Sequence, residues 1–143
     1  MSHTIAGTCH CQNLAFELCT STPVAEIQAR ACDCTFCRLH GARNWSDPEG
    51  KATIRIRNER QTQKYRFGLR TADFYICRVC GVYLGAVLTD KDRMWSTVNL
   101  RLAGLVVREK SASYELEDTS DRVARRKQAW TPTTITKEAQ HGT

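Results

Sequence analysis

The sequence of 143 residues lacks any apolar run close to the roughly 20 residues that a membrane-spanning helix requires. Its first residues also lack the basic segment and the apolar segment that together mark a secretory signal. Internal repeats and low-complexity tracts are absent as well. We therefore expect a globular protein that stays in the cytoplasm and does not bind membranes.

Hydrophobic residues make up 41% of the chain and charged residues 25%, as in an ordinary globular domain. A domain of this length hides about 70% of its unfolded surface, so it can form a core without disulfides. We expect one domain over residues 1–132, followed by a polar tail over 133–143. The net charge of +6 is compatible with nucleic acid, an acidic surface or a small anionic substrate, and does not choose among them.

Apolar and polar residues alternate over 14–18, 25–31, 54–57 and 97–102. A period of two predicts half-buried β-strands. Residues 82–88 are apolar on both faces and are interrupted only by Gly85, which indicates a strand buried on both sides or a close approach of backbones; we expect a central strand there. The sequence therefore predicts an all-β fold for most of the chain.

A short helix is predicted near the end of the chain, from Asp121 to about Trp130. Thr119 or Ser120 would cap its first turn, and Pro132 would stop it. The residues from 133 onward are polar and lack periodicity, so we expect a frayed tail there.

Eight cysteines in a reducing compartment favour thiolates that hold metal or do chemistry over disulfides. Seven of them form three clusters: Cys9-His10-Cys11, Cys32-Asp33-Cys34-Thr35-Phe36-Cys37 and Cys77-Arg78-Val79-Cys80-Gly81. In extended backbone, residues two apart point to one face, so the first two clusters can each direct a pair of sulfurs at one ion. The third cluster has the turn geometry that brings two sulfurs to one metal.

Zinc fits these ligands because it accepts tetrahedral thiolate coordination, whereas an iron–sulfur cluster is a weaker match to cysteines paired around separate turns. Seven cysteines complete one site of four sulfurs and leave three over. A three-sulfur site has the open position that is typical of catalytic zinc. The alternative, that His10, His40 or Cys19 closes the second site, is not excluded by the spacing.

The ordered motifs Gly7-x-Cys9-His10-Cys11, Cys32-x-Cys34-x-x-Cys37-Arg38 and Cys77-x-x-Cys80-Gly81 resemble the glutathione-dependent formaldehyde-activating family, which includes centromere protein V. The resemblance spans roughly Thr4 to Leu102. It implies a β-tent type of fold with two zinc ions. A structural zinc would bind Cys9, Cys11, Cys77 and Cys80, and a catalytic zinc would bind Cys32, Cys34 and Cys37.

The resemblance also implies a carbon–sulfur lyase, in which a thiol such as glutathione adds to an aldehyde or the adduct is cleaved. Three cysteinate ligands blunt the Lewis acidity of zinc, so we expect it to activate the thiol. Asp33 stands where the family commonly has histidine. A carboxylate beside the metal would repel an anionic substrate unless it is turned away, which leaves glutathione itself unassigned.

Other residues carry weaker expectations. His40 could reach the open zinc position, and His10 should point away from its zinc. A substrate carboxylate could bind Arg38, Arg43, Arg70 or Arg78, although solvated charge is the default for each. Trp45, more than Phe36, is the candidate for a pocket wall. Residues 122–127 are expected to form an exposed basic helix face, and Cys19 to pack as a small apolar side chain.

The main alternative to an enzyme is a non-catalytic zinc module that binds nucleic acid or protein through its basic surface, although we do not expect nucleic acid as a partner. Such binding would weaken steeply with salt. A zinc or aldehyde sensor would share the open site but bind without turnover.

Overall fold

The computed structural model describes residues 2–138, which form a mainly β fold with a short C-terminal helix, as predicted. The strands are β1 (His3–Thr8), β2 (Leu14–Thr20), β3 (Gln28–Cys32), β4 (Asn44–Trp45), β5 (Lys51–Ile56), β6 (Thr62–Tyr65), β7 (Asp73–Cys77), β8 (Tyr83–Asp90), β9 (Arg93–Asn99), β10 (Arg108–Ala112) and β11 (Thr131–Lys137). The α-helices are α1 (Thr35–His40) and α2 (Thr119–Ala129). Single turns of 3-10 helix cover Val24–Glu26, Glu59–Gln61 and Leu100–Ala103.

The strands pair into one open sheet, in the order β1, β2, β5, β11, β9, β4, β3 and β10. Strands β8, β7 and β6 extend from the other edge of β9. Strand β11 connects two parts of this sheet, because its first residues pair with β9 and the following ones pair in parallel with β5. Strand β3 also pairs in parallel with β10.

The alternation of apolar and polar residues explains the strands in the first half of the chain. In the antiparallel pair of β2 and β5, Phe16 lies opposite Ile54 and Leu14 lies opposite Ile56, and all four side chains are buried. They belong to the larger of two apolar clusters. The second cluster contains Phe36, Phe74, Tyr83, Trp95 and Trp130. This aromatic cluster packs beneath the middle cysteines, two of which contact it.

Strand β8 has a neighbour on each side and is buried from Tyr83 to Leu88, as its apolar sequence predicts. Gly85 is necessary at its centre, because a Cβ atom there would lie 2.5 Å from the carbonyl oxygen of Thr97 on β9. The predicted close approach of backbones is therefore confirmed.

Two predicted strands are shorter than their alternation indicates. Residues 24–26 form a 3-10 turn, so the strand predicted over 25–31 begins only at Gln28. Strand β9 ends at Asn99, whose Oδ1 accepts from the backbone N–H of Arg101 at 3.3 Å and starts another 3-10 turn. Local side-chain hydrogen bonds of this kind compete with the sheet ladder.

The frayed tail predicted from residue 133 is wrong for residues 133–137, which belong to β11. Thr133, Thr134 and Ile135 pair with Ala52, Thr53 and Ile54. Threonine favours strands, but the pairing joins residues about 80 positions apart, which a local pattern cannot reveal. The domain thus includes β11, and residues 139–143 of the predicted tail lie outside the described part.

Helix α2 matches its prediction except at the cap. The N-cap is Asp118, whose Oδ1 accepts from the backbone N–H of Asp121 at 2.8 Å, rather than Thr119 or Ser120. The helix ends at Ala129, shortly before Pro132. Between residues 2 and 138, no helix is both long and apolar enough to cross a membrane.

We predict that Gly85→Ala lowers the free energy of unfolding by about 1–3 kcal/mol, since the added methyl group must displace the backbone of β9. Urea denaturation of the metal-loaded protein measures the change. Thr89→Ala, at an exposed position of the same strand, is the control and should change stability by less than about 0.5 kcal/mol. Equal stability of the two variants would contradict the close approach.

Candidate metal and substrate site

The four cysteines of the first and third clusters in the sequence come together in one group. Cys9 and Cys11 lie in the turn between β1 and β2, whereas Cys77 ends β7 and Cys80 lies in the turn before β8. The sulfurs of Cys9 and Cys11 are 3.8 Å apart, and those of Cys11 and Cys77 are 3.4 Å apart. All four sulfurs lie within 4.8 Å of one another, and we name them the four-sulfur cluster.

These distances fit a tetrahedral metal ion. Metal–sulfur bonds of about 2.3 Å with tetrahedral angles place the sulfurs roughly 3.8 Å apart. Burial raises the pKa of Cys9 to about 12, so this sulfur needs a nearby cation to be a thiolate at neutral pH. The four-sulfur cluster could therefore hold a metal ion with all its coordination positions filled by the protein.

The backbone around this cluster is shaped by two tight turns. Gly81 has a φ of 77° and donates its N–H to the carbonyl of Cys77 at 2.9 Å, which closes the predicted turn between Cys77 and Cys80. Cys9 and Cys11 do not lie in extended backbone as expected, but in a turn where Gln12 has a φ of 69°. The turn still brings both sulfurs to one point, and the N–H of Leu14 donates to the Cys9 sulfur at 3.3 Å.

The middle cysteines form a second group, the three-sulfur cluster. Cys32 ends β3, Cys34 is the N-cap of α1, and Cys37 lies within that helix. Their sulfurs also lie within 4.8 Å of one another. The backbone N–H of Cys37 donates to the Cys34 sulfur at 3.4 Å, so the start of the helix fixes two of the three sulfurs.

A chain of buried side chains also holds the sulfur of Cys37. The amide nitrogen of Asn44 donates to the Cys37 sulfur at 3.6 Å, and the Asn44 oxygen accepts from the Tyr83 hydroxyl at 3.1 Å. Burial raises the pKa of Tyr83 well above its usual range, so the phenol keeps its proton and remains a donor. The amide of Asn44 is thereby oriented with its N–H groups toward the sulfur.

The three thiols interact strongly with one another. Hydrogen bonds from Cys32 and Cys37 lower the pKa of Cys34, whereas hydrogen bonds with Cys32 and Cys34 raise the pKa of Cys37. One thiolate supported by two thiols is therefore the favoured state of the bare sulfurs. A cation at their centre would remove this competition for negative charge.

The three-sulfur cluster opens into a cavity of about 320 Å³, whereas the four-sulfur cluster does not line it. The cavity is lined by Arg30, Cys32, Asp33, Cys34, Thr35, Cys37, Arg38, Asn44, Phe67, Phe74, Thr97, Tyr114, Glu115, Arg122, Arg125, Arg126 and Trp130. It is large enough for a small organic molecule. A ligand in it would have access to the three sulfurs.

The residues that could close the second site lie elsewhere. Among the described residues, His10, His40 and Cys19 join neither sulfur cluster. The Nδ1 atom of His40 lies 3.0 Å from the carbonyl oxygen of Phe36, and its ring packs on that of Phe36. Cys19 is exposed on β2, with its sulfur 3.6 Å from the Thr4 hydroxyl. Within residues 2–138, no further His, Cys, Asp or Glu side chain joins the three-sulfur cluster as a fourth ligand.

Of the arginines singled out in the sequence, Arg38 lines the cavity, whereas Arg43 pairs with Glu109 at 2.9 Å. Arg70 and Arg78 do not line it, and Arg78 donates to the carbonyl of Thr62. Trp45 is buried in the larger apolar cluster, so its prediction as a pocket wall is wrong.

Most residues of the cavity wall were not among the site residues predicted from the sequence. Arg30 comes from β3, and helix α2 contributes Arg122, Arg125 and Arg126, which were expected on an exposed face. Their spacing of three and four residues was the available signal, since it places them on one side of a helix. The aromatic wall consists of Phe67, Phe74 and Trp130. Only the fold shows that this side of α2 faces the cysteines.

Comparisons with known proteins indicate one family. The model of the glutathione-dependent formaldehyde-activating enzyme family matches residues 4–118. A crystal structure of a Rhodobacter sphaeroides protein is similar, with 29% sequence identity and a TM-score of 0.51 over 73% of this chain and 99% of the other. A search of curated proteins found no significant match.

We predict that the two sulfur clusters load independently. Cys37→Ser should reduce the metal content from two ions per chain to one, because it removes a ligand of the three-sulfur cluster only. Cys19→Ser is the control and should retain two ions. Mass spectrometry of the native protein measures the ratio, and one ion per chain in both variants would contradict the division into two sites.

Proposed function

Because the chain belongs to the glutathione-dependent formaldehyde-activating enzyme family, we propose that it is a zinc-dependent carbon–sulfur lyase acting on an aldehyde and a small thiol, or on their adduct. The observation that supports this most directly is the cavity that opens onto three cysteine sulfurs. Substrates of this kind need access to a metal with a free position, and the three-sulfur cluster is the group to which the cavity gives access.

The two clusters have different roles in this proposal. Cys9, Cys11, Cys77 and Cys80 bind a structural zinc, since four sulfurs complete its coordination. Cys32, Cys34 and Cys37 bind a catalytic zinc and leave a position for substrate. Zinc suits both clusters because it favours tetrahedral thiolate coordination and has no redox chemistry of its own.

When bound by three cysteines, zinc supplies a coordination position at which the pKa of an incoming thiol falls, so that the thiolate forms near neutral pH. The negative charge of the three cysteinates favours a soft thiol over an aldehyde oxygen at that position. In the addition, the thiol sulfur forms a bond to the carbonyl carbon, and the thiol proton ends on the oxygen of the new hydroxyl group. The reverse reaction breaks the same carbon–sulfur bond.

The protein side chains position these groups. Asn44 and the start of α1 hold the sulfurs in place, while Phe67 and Phe74 provide an apolar wall for the carbon part of a substrate. Asp33 is exposed and lines the cavity beside Cys32 and Cys34. Its carboxylate makes the immediate surroundings of the metal less suited to an anionic group, so the charged part of a substrate must bind farther away.

The proposal predicts that the zinc-loaded protein accelerates exchange between a small thiol, an aldehyde and their adduct. Full ionisation of a thiol of pKa about 8.5 raises its thiolate fraction roughly 30-fold at pH 7, so an acceleration of about tenfold or more is expected. Exchange spectroscopy by NMR measures the rate for formaldehyde with several thiols.

Cys37→Ser should abolish the acceleration, and Cys19→Ser should retain it. If the zinc-loaded wild-type protein binds thiols but accelerates exchange with none of them, the lyase assignment is wrong and a sensor is favoured. If it binds no thiol and instead binds nucleic acid with steep salt dependence, the binding module is favoured.

A further inference from the structure

The cavity is lined by a half-buried arginine and a buried arginine that have no carboxylate partner in the described part of the chain. Arg30 and Arg126 both line it, and Arg126 is only 9% exposed. Neither forms a salt bridge with any carboxylate among residues 2–138. A buried charge without a counter-charge is costly, and proteins usually pair it or use it.

Arg30 has only neutral partners. Its Nη2 donates to the hydroxyl of Thr97 at 2.8 Å and to that of Ser46 at 3.3 Å. These hydrogen bonds fix the position of Arg30 without neutralising its charge.

Arg126 donates fewer hydrogen bonds than Arg30. Its Nη1 donates to the Thr71 hydroxyl at 2.7 Å, and the guanidinium lies 4.6 Å from the ring centroid of Trp130. Its buried Nε has no hydrogen-bond partner in the described part of the chain. Burial lowers the pKa of Arg126 to about 10, and repulsion from Arg125 and Arg122 contributes. The packing holds this cation rigidly at the cavity wall.

The other two arginines of the helix are in a different situation. Arg122 and Arg125 share the carboxylate of Glu117, at distances of 2.6 to 3.2 Å. Arg125 also lies over the ring of Tyr114. These pairs tie α2 to the preceding loop and place one carboxylate beside the two guanidinium groups, whereas Arg30 and Arg126 have no carboxylate partner among residues 2–138.

We propose that Arg30 and Arg126 form a carboxylate-binding subsite, and that the substrate carries a carboxylate a few atoms away from its reactive thiol or aldehyde group. Guanidinium groups match the planar geometry of a carboxylate. A doubly charged phosphate fits less well, because Asp33 and Glu115 also line the cavity. This inference rests on the proposed function, since it assumes that the reactive group lies at the three-sulfur cluster.

The subsite explains why the carboxylate of Asp33 is compatible with an anionic substrate. Asp33 directly follows β3 and adds a negative charge to the cavity wall, which the positive charges of Arg30 on β3 and Arg126 on α2 offset. The family match ends at residue 118, one residue before α2 begins. Substrate selection would thus depend on a helix outside the matched region.

The test compares ligands that differ only in charge. The zinc-loaded full-length protein is titrated calorimetrically with 3-mercaptopropionate and 3-mercaptopropionamide at constant ionic strength. We expect the carboxylate to bind about tenfold or more tightly, as for a hydrogen-bonded charge pair. Arg126→Gln and Arg30→Gln should each remove most of this preference, so that the two thiols bind with similar affinity. Arg60→Gln, an exposed arginine, is the control with the same loss of charge.

Equal binding of the two thiols by the wild-type protein would overturn the subsite, and so would a preference that survives both substitutions. The comparison of the two thiols with the wild-type protein tests the subsite even if a variant fails to fold. Propionate and propionamide, compared by thermal shift, separate the two proposals because they lack the thiol. If neither thiol reaches the metal but propionate alone still stabilises the wild-type protein and not Arg126→Gln, the subsite stands and the lyase proposal fails.

Discussion

The convergence of cysteine sulfurs from distant parts of the chain is the constraint on which the site depends. Cys11 and Cys77 are 66 residues apart, yet their sulfurs lie at 3.4 Å. This contact joins the β1–β2 turn to the β7–β8 turn, and thereby fixes two parts of the sheet relative to one another. Bare thiolates at this distance repel one another, so a cation at the centre would convert the cluster from a destabilising to a stabilising feature.

The same chemistry serves two different purposes in the two clusters. Four sulfurs would satisfy the coordination of a metal completely and leave no position for substrate. Where three sulfurs meet, the start of α1, Asn44 and Tyr83 hold the side chains, and a cavity lies beside them. In the proposed function, one sulfur distinguishes the structural site from the reactive one, and Arg30 and Arg126 would bind the charged end of a substrate.

The sequence was most informative where chemistry is local. The grouping of cysteines by short spacing, the alternation of β2 and β5 and the buried strand around Gly85 each depend on neighbouring residues, and the structure has them as expected. The assignment of particular cysteines to the four-sulfur and three-sulfur clusters came from the family resemblance, because spacing alone left that pairing open. Extended backbone at Cys9 and Cys11 was not needed, since a turn brings their sulfurs equally close.

What the sequence could not show are features that depend on distant pairing. Strand β11 is polar and rich in threonine, and it is ordered by β5, about 80 residues earlier. The arginines of α2 read as a solvated face, because nothing local indicates that the helix lies beside the three-sulfur cluster. Trp130 rather than Trp45 lines the cavity for the same reason, since only the packing decides which of them reaches it.

The central claim is that a metal at three cysteines keeps one position open for a thiol. X-ray absorption of the fully zinc-loaded protein tests it by counting sulfur ligands at about 2.3 Å. The account predicts about 3.5 sulfurs per zinc, the mean of the four-sulfur and three-sulfur clusters, rising to about 4 when a thiol saturates the open position. A value of 4 before thiol is added, or no increase afterwards, would contradict it.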